Sequence, residues 1–473
     1  MERIIKQLNR VLFVIILVNT IVCFYYLLYV YDPGGKSALV AEDHHKEQKI
    51  GRALRHRIQA VRTTKDPLNI PGDPIDYSKR KMFRVVELDP NFASIFEPES
   101  SPTSNFIKVS EFVHVYSAYY DIRNGGYIRI IGVSISLHHG VVKCVFPSNK
   151  TPVSTLFSKS GEDHSLPYAA QLISCAVPGN IDAEYIKQNG VVLMGIIGND
   201  TIETKIEVNV PPNVTHKQDF AVCIPPLYGN ISLTKIVEFI SVSKILGVEH
   251  FTFYDYDMHE NLTKLLNIYQ DAGMVTVKPW KHTFTHTHLW YYGQSATVWD
   301  CMYHNMAYFN YIALNDIDEF IVPRSTDRWT EMIEKLKSST LSSVAAYRFQ
   351  SSAFDNTRVS SPPIHSPEVR QLVTLDTVIR DKTLNPMRSK LIVDPQKVFE
   401  VGIHTLYRPF TVADRLMMVD ERDAILYHYR WFGMDVKEED VVEDRTIWKH
   451  FDNITSVMDE QRKWLKTKDI YIR

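Results

Sequence analysis

The sequence predicts an α/β protein in which a Rossmann-like domain follows a β-sandwich-like domain and an N-terminal transmembrane helix. Residues 11–31 contain no charged side chain, and residues 106–212 contain short β-branched and aromatic runs between turn residues. From residue 219 onward, strand-like and helix-like segments alternate. The chain has 473 residues and a formal net charge of −2, so its overall charge does not favour nucleic acid as a partner.

The first 31 residues have the pattern of a signal anchor. At about 1.5 Å per helical residue, the uncharged segment 11–31 is long enough to cross a hydrocarbon core about 30 Å thick. Basic residues occur within residues 1–10, and the positive-inside rule therefore places this tail in the cytosol. We expect a single-pass type II membrane protein whose remaining residues lie in a lumen, such as that of the Golgi, or at the cell surface.

Glycosylation signals and cysteines agree with a lumenal location. Six Asn-x-Ser/Thr sequons follow the predicted span, at Asn149, Asn199, Asn213, Asn230, Asn261 and Asn453. One cysteine of the five lies within the span, so four remain for an oxidising compartment. Four cysteines allow three pairings, and we favour Cys144–Cys175 with Cys223–Cys301 because these partners are near neighbours in sequence.

The predicted domain boundaries follow changes in composition. Residues 32–105 combine a charged run with Pro, Gly, Asp and Ser and lack clear periodicity, which is typical of a stem. Residues 106–212 predict the antiparallel β-sandwich. Over residues 219–473, strands such as HFTFYDYD alternate with helices such as SLTKIVEFISVSKILG. This alternation predicts right-handed βαβ units and a parallel sheet.

An acidic turn after the fourth predicted strand of the α/β domain is the strongest candidate site. The strand YIAL is followed by Asp316 and Asp318, with Glu319 beside them, and a second apolar run comes next. Carboxylates between apolar runs would be costly without a cation or hydrogen bonds, and ligands of parallel sheets bind beyond the carboxyl ends of strands. The two aspartates could bind Mg²⁺ or Mn²⁺, which share their coordination with substrate phosphates and neutralise a leaving nucleotide.

A second Asp-x-Asp, formed by Asp255 and Asp257, ends the second predicted strand. An acid at this position could contact the ribose or base of a nucleotide. A solvated turn is the simpler interpretation for Asp257, whereas both interpretations remain open for Asp255.

The chain resembles glycosyltransferase family 92, once catalogued as domain of unknown function 23. The shared motifs are CIPPLYG, KIVEFISVSKILGVEHFTFYDYD, GQSATVWDC, YIALNDIDEFIVP, SKLIVDPQKV, VGIH and YHYR, in this order over about residues 219–450. The resemblance implies a GT-A fold and a Golgi-type membrane protein. It also implies metal-assisted transfer of galactose from UDP-galactose, with inversion to a β-linkage, onto the glycan of a glycoprotein or glycolipid. We therefore expect Mn²⁺ or Mg²⁺ as cofactor.

Four further residues are candidates for supporting roles. Arg388 and Lys390 could hold a diphosphate, although a solvated strand end is equally compatible with them. Asp355, in a loop-like stretch after the acidic turn, is the candidate base for the acceptor hydroxyl. Enzymes with the GT-A fold often take a third metal ligand from a downstream histidine, and we favour His428 over His404 by analogy.

Two other classes of function remain open. A transferase for another nucleotide sugar is the closest alternative. A non-catalytic cell-surface binding protein is the alternative from a different class, but such a protein has no need for convergent acids after the fourth strand. A catalytically silent relative would not be expected to retain the Asp316-x-Asp318 pair.

Overall fold

A computed structural model of the chain describes residues 104–136, 142–357, 372–430 and 438–472. The predicted cytosolic tail and transmembrane helix, and nearly all of the stem, lie outside the described residues. No helix in the part of the chain that the structure describes is both long and apolar enough to cross a membrane.

The β-rich part contains eight strands and one short helix. They are β1 (Ile107–Ser110), β2 (Val113–Asp121), β3 (Tyr127–Ile135), β4 (Lys143–Phe146), β5 (Asn149–Lys159), β6 (Tyr168–Ala176), α1 (Ala183–Asn189), β7 (Val191–Ile197) and β8 (Asp200–Ile206). The strands form one sheet in the order β1-β2-β3-β6-β5-β4-β7-β8. Every neighbouring pair in this sheet is antiparallel, as the sequence predicts.

This sheet curls on itself instead of forming the two separate sheets of a sandwich. The first half of the eleven-residue strand β5 pairs with β4, and its second half pairs with β6. The two ends of the sheet then meet, because Glu111 N–H donates to Ile196 O at 2.8 Å. One apolar core fills the interior. Short strands between turns have the same sequence pattern in a sandwich and in a curled sheet, which explains the difference from the prediction.

The α/β part follows at residue 218. Its elements are β9 (Gln218–Gly229), α2 (Leu233–Leu246), β10 (His250–Met258), α3 (Glu260–Asp271), β11 (Val275–Pro279), α4 (Gln294–Asn305), β12 (Phe309–Leu314), β13 (Glu319–Pro323), α5 (Trp329–Ser338), β14 (Ser343–Ala353), α6 (Val373–Asp376), β15 (Ile379–Asp381), β16 (Asn385–Val393), β17 (Val398–Val401), β18 (Leu406–Pro409), β19 (Asp414–Met418), β20 (Ala424–His428), β21 (Val441–Glu443) and α7 (Phe451–Lys466). Helix α2 ends in a Schellman motif, because Gly247 has φ +117° and Val248 N–H donates to Ser243 O.

The main sheet has the strand order β11-β10-β9-β12-β16-β14-β20-β13, and β19 pairs with β14. Strands β11, β10, β9 and β12 are parallel, as the alternating pattern predicts. From β9 the chain builds outward to β10 and β11 and then returns to the other side of β9 for β12. The order of the strands therefore reverses between β9 and β12, and such a switch point opens a ligand-binding crevice at the carboxyl ends of the strands.

The structure describes two disulfides and the positions of the six sequons. Cys144 is paired with Cys175 between β4 and β6, and Cys223 is paired with Cys301 between β9 and α4, which confirms both predicted pairings. Five sequon asparagines are exposed, namely Asn199, Asn213, Asn230, Asn261 and Asn453. Asn149 is the first residue of β5. Glycosylation at these positions stays a prediction.

A buried carboxylate joins the β-rich part to the α/β part. Asp300 on α4 is fully buried and accepts hydrogen bonds from Ser117 and Tyr119 of β2, from Tyr254 of β10 and from the ammonium group of Lys278. Burial alone would raise the pKa of Asp300, but the Lys278 ammonium and the hydroxyl donors outweigh it, so the pKa is lowered. Within the α/β part Asp300 is balanced by Lys278 and Tyr254, and the hydroxyl groups of Ser117 and Tyr119 join the β-rich part to it.

Asp300→Asn is expected to lower the free energy of unfolding by about 3 kcal/mol, because the Lys278 ammonium loses its buried counter-charge. The measurement is chemical denaturation of the purified protein. Asp423→Asn is the control, since it breaks an ion pair with Lys335 that is far more exposed and should cost less than about 1 kcal/mol. Equal losses in both variants would contradict the role assigned to Asp300.

Candidate active site

A buried lysine compensates the carboxylates of the acidic turn. Strand β16 runs antiparallel to β12 with Leu391 opposite Leu314, so Lys390 reaches the end of β12 where the turn begins. Its Nζ atom lies 3.0 Å from Asp316 Oδ2 and 3.2 Å from Glu319 Oε2. The side chain of Lys390 is only 3% exposed, so its charge is balanced by these two carboxylates and not by water.

Glu319 forms two hydrogen bonds that close the acidic turn. Its Oε2 atom accepts the backbone N–H of Asp316 at 3.0 Å, and its own N–H donates to Asp316 O at 3.1 Å. Burial raises the pKa of Glu319, while the nearby Lys390 ammonium acts in the opposite direction. No role for Glu319 is predicted from the sequence. Its position directly before the apolar run FIV indicates that its carboxylate needs a partner inside the protein.

Asp318 and His428 lie together on the other side of the turn. Strand β20 pairs with β13 so that His428 stands opposite Glu319, and its Nε2 atom lies 3.7 Å from Asp318 Oδ1. Asp318 Oδ2 is 3.5 Å from Lys235 Nζ. Burial lowers the pKa of His428 to about 4, so the imidazole is neutral near pH 7, which is the form that binds a metal ion.

His404, the alternative third ligand, is placed beside Lys390. Its Nδ1–H donates to Ser389 O at 2.7 Å, which leaves Nε2 as the basic nitrogen of the neutral ring. Burial lowers the pKa of His404 to about 4, and the Lys390 ammonium acts in the same direction. Of the two histidines, His428 has the direct contact with Asp318.

The donor set at the acidic turn suits a hard divalent cation. The side chains of Asp316 and Asp318 are 33% and 18% exposed, so a ligand can reach them from solvent. Among the described residues, no group of three or more His, Cys, Asp or Glu side chains is arranged so that together they could hold a metal ion. An incomplete oxygen shell fits Mg²⁺ or Mn²⁺ bound to a nucleotide, because such ions keep several waters and take phosphate oxygens as ligands.

Two other predicted site residues, Arg388 and Asp255, lie on β16 and β10. Arg388 is exposed on β16, two residues before Lys390. Asp255 lies near the end of β10, where its Oδ1 atom accepts the N–H of Met258 at 3.1 Å and the ammonium of Lys281 at 3.0 Å. It therefore stabilises its own turn at the carboxyl ends of the parallel strands.

Asp355 follows β14, the strand beside β20. The backbone N–H of the preceding residue, Phe354, donates to His428 O at 2.8 Å, which brings this segment next to the histidine. Asp355 is mostly buried, and its Oδ1 atom accepts the N–H and hydroxyl of Thr357 at 3.0 and 2.6 Å. One carboxylate oxygen is thus engaged within a local turn.

An aromatic cluster lies at the carboxyl ends of β9 and β10. The rings of Tyr256 and Tyr292 are stacked with centroids 4.2 Å apart, and the half-exposed Tyr228 lies 5.0 Å from Tyr292. The carbonyl oxygen of Tyr292 accepts hydrogen bonds from Trp280 Nε1 at 2.7 Å and from His282 Nε2 at 3.0 Å. These residues come from four separate segments, so no local pattern in the sequence shows them as a group.

These features define a doubly wound α/β protein with acids beyond β12 and aromatic rings beyond β9, at the strand ends where such proteins bind ligands. The chain belongs to glycosyltransferase family 92: the model of the family described as "Glycosyltransferase family 92" matches residues 218–468, just over half of the chain. The resemblance in the motifs is thereby confirmed.

Two curated relatives come from Caenorhabditis elegans. The protein named "Beta-1,4-galactosyltransferase galt-1" is 25% identical over 394 residues, which cover 78% of this chain and 87% of that protein. "Glycosyltransferase family 92 protein F13G3.3" is 23% identical over 194 residues, or 38% of this chain and 37% of the relative. Among solved structures, S. aureus TarS 1-349 matches 45% of this chain and 60% of its own, at 9% identity and a TM-score of 0.26.

Proposed function

We propose that this glycosyltransferase transfers galactose from UDP-galactose to a glycan acceptor, with inversion to a β-linkage and with the help of a divalent cation. The observation that carries the proposal is the pair Asp316 and Asp318 at the switch point of the parallel sheet, in a chain of family 92. The strand order around β9 supports a GT-A fold. A relative named as a β-1,4-galactosyltransferase supports galactose as the transferred sugar.

The donor would lie across the carboxyl ends of β9, β10 and β12. The half-exposed ring of Tyr228 would stack on the uracil base, and Asp255 at the end of β10 would accept a hydrogen bond from a ribose hydroxyl. The diphosphate would then reach the acidic turn. Arg388, exposed on β16, is the proposed cation on the open side of the diphosphate.

Asp316, Asp318 and His428 would hold Mn²⁺ or Mg²⁺. When bound, the cation supplies positive charge that offsets the negative charge developing on the leaving UDP. A direct contact between Lys390 and the diphosphate stays a prediction. Its ammonium is already bonded to Asp316 and Glu319, so its clearest contribution is to offset part of the negative charge of the turn before the cation binds.

An inverting transferase needs a base that takes the proton of the acceptor hydroxyl as the sugar is attacked. Asp355 remains our candidate, because its segment is bonded through the backbone to His428. The engagement of its Oδ1 atom by Thr357 orients the carboxylate. Anchorage of the protein by residues 11–31 in a Golgi-type membrane likewise stays a prediction.

A donor screen with the purified full-length chain in detergent tests the proposed function. Several nucleotide sugars are offered with a panel of methyl hexopyranosides and oligosaccharides, and products are identified by mass spectrometry. We expect the fastest transfer from UDP-galactose, and its loss in EDTA with recovery on addition of Mn²⁺. Full activity in EDTA would remove the cation from the account. A preference for another donor would retain the enzyme class and overturn galactose as the transferred sugar.

A further inference from the structure

A loop of the β-rich part reaches the α/β part close to the candidate active site. We name residues 160–166, between β5 and β6, the seam loop. Both carboxylate oxygens of Glu162 accept the backbone N–H of Ile403, at 3.0 and 2.9 Å. The ring of His164 is stacked on Trp290 with centroids 3.7 Å apart. The seam loop therefore contacts two segments of the α/β part that are far apart in sequence.

The contact of Glu162 connects the seam loop to β16, the strand that reaches the acidic turn. Ile403 precedes His404, whose Nδ1–H donates to Ser389 O, and Ser389 precedes Lys390 on β16. The fit is close at this point, because a Cβ on Gly402 would lie 2.8 Å from Glu162 Oε1. The seam loop is thus bonded to the segment 402–404, which is in turn bonded to β16, the strand of Lys390.

The contact through His164 leads towards the aromatic cluster. Trp290 lies 5.1 Å from the ring of Tyr291, which is 45% exposed, and the next residue is Tyr292 of the cluster beyond β9. The rings of His164, Trp290 and Tyr291, which we name the aromatic shelf, therefore connect the β-rich part to the aromatic cluster beyond β9.

Backbone strain is concentrated on the two segments that form the shelf. Six described non-glycine residues have positive φ, and four of them are His164 at 50°, Ser165 at 60°, Tyr291 at 41° and Tyr292 at 52°. Each costs on the order of 1 kcal/mol or more, and such strain persists where surrounding contacts enforce it, often at ligand sites. Here the carbonyl oxygen of Tyr292 is held by two buried side chains, and the N–H of Ser165 donates to the Asp163 carboxylate.

We propose that the aromatic shelf binds a neutral hexopyranose unit of the acceptor glycan, so that the β-rich part supplies one wall of the acceptor site. The apolar C–H face of a pyranose stacks on flat rings. The shelf offers the stacked pair of His164 and Trp290, with the 45% exposed ring of Tyr291 edge-on to Trp290 at 73°. Burial lowers the pKa of His164, which disfavours the charged imidazolium that would attract a phosphate. For the uracil base of the donor, the proposed stacking partner is a different ring, that of Tyr228 at the end of β9. This inference rests on the proposed transferase function.

The test is steady-state kinetics of the full-length enzyme with the methyl hexopyranoside or oligosaccharide that gives the highest turnover in the acceptor panel. Trp290→Ala and His164→Ala should each raise the acceptor KM roughly fivefold or more, with the donor KM and kcat nearly unchanged. Trp290→Phe keeps a flat ring and should restore most of the affinity. Tyr308→Ala is the control, because Tyr308 is also an exposed aromatic residue but precedes β12, at the amino ends of the parallel strands.

The outcomes separate this inference from the proposed function. Normal transfer with an unchanged acceptor KM in both alanine variants overturns the shelf as an acceptor site and leaves the transferase intact. A rise in the donor KM instead assigns the shelf to the nucleotide sugar and also overturns the inference. Circular dichroism of each variant excludes misfolding as the cause, and His164→Ala, at an exposed position, provides the test if Trp290→Ala does not fold. No transfer by the wild-type enzyme from any nucleotide sugar would refute the proposed function itself.

Discussion

Asp318→Asn is expected to lower kcat/KM for sugar transfer at least a hundredfold while leaving the protein folded. The substitution removes one negative charge from the proposed cation site and keeps the size of the side chain. Loss of a charged ligand from a cation on the leaving diphosphate should cost several kcal/mol of transition-state stabilisation. Stability should change little, because the contacts of Asp318 with Lys235 and His428 are 3.5 and 3.7 Å long and partly exposed.

Two matched variants make this expectation specific. Asp316→Asn should cause a similar loss of activity, with an added loss of stability because Asp316 is bonded to the buried Lys390. Asp257→Asn is the control, since Asp257 is the exposed second acid of the Asp-x-Asp that ends β10. If Asp257→Asn were the more damaging change, the cation site would belong at the end of β10 and not at the turn beyond β12.

Lys390→Met is expected to lower the free energy of unfolding by about 3–5 kcal/mol and to abolish transfer. Removing one partner of a buried ion pair leaves an uncompensated charge, here on Glu319, which is only 2% exposed. Methionine has a similar length, so a cavity does not explain the loss. The control is Lys397→Met, which breaks a partly exposed pair with Asp394 and should cost less than about 1 kcal/mol.

The charge explanation predicts a rescue and a pH dependence. Glu319→Gln introduced into Lys390→Met should recover part of the lost stability, because no buried charge then remains on that side chain. In Lys390→Met alone, burial raises the pKa of Glu319 above its unfolded value with no lysine to oppose it. Such a group destabilises the native state increasingly as pH rises above the ordinary carboxyl pKa, so the loss should shrink in acid. A loss independent of pH and without rescue would mean that packing alone is disturbed.

Local patterns in the sequence predicted the elements that depend on neighbouring residues. Hydrophobic periodicity and Gly247 predicted helix α2, and the alternation of strands and helices predicted the four parallel strands around β9. Acids directly after β12 predicted the candidate site, because a strand end next to apolar residues is an expensive place for unpaired charge.

The rest depends on contacts between residues far apart in the chain. Lys390 meets Asp316 across 74 positions, and no local pattern shows that the antiparallel strand β16 will lie beside β12. The seam loop likewise meets Ile403 across 241 positions. The curled sheet and the aromatic shelf arise in the same way, since they are set by how whole elements pack and not by the propensities of single segments.

Binding of Mn²⁺ in the presence of UDP tests the central claim most directly. Electron paramagnetic resonance measures free Mn²⁺ while the purified protein is titrated, for the wild type, Asp318→Asn and Asp257→Asn. The account predicts that the wild type and Asp257→Asn bind a single Mn²⁺ with similar affinity when UDP is present, and that Asp318→Asn binds it at least tenfold more weakly. Equal binding by all three proteins would contradict the assignment of the cation to the acidic turn.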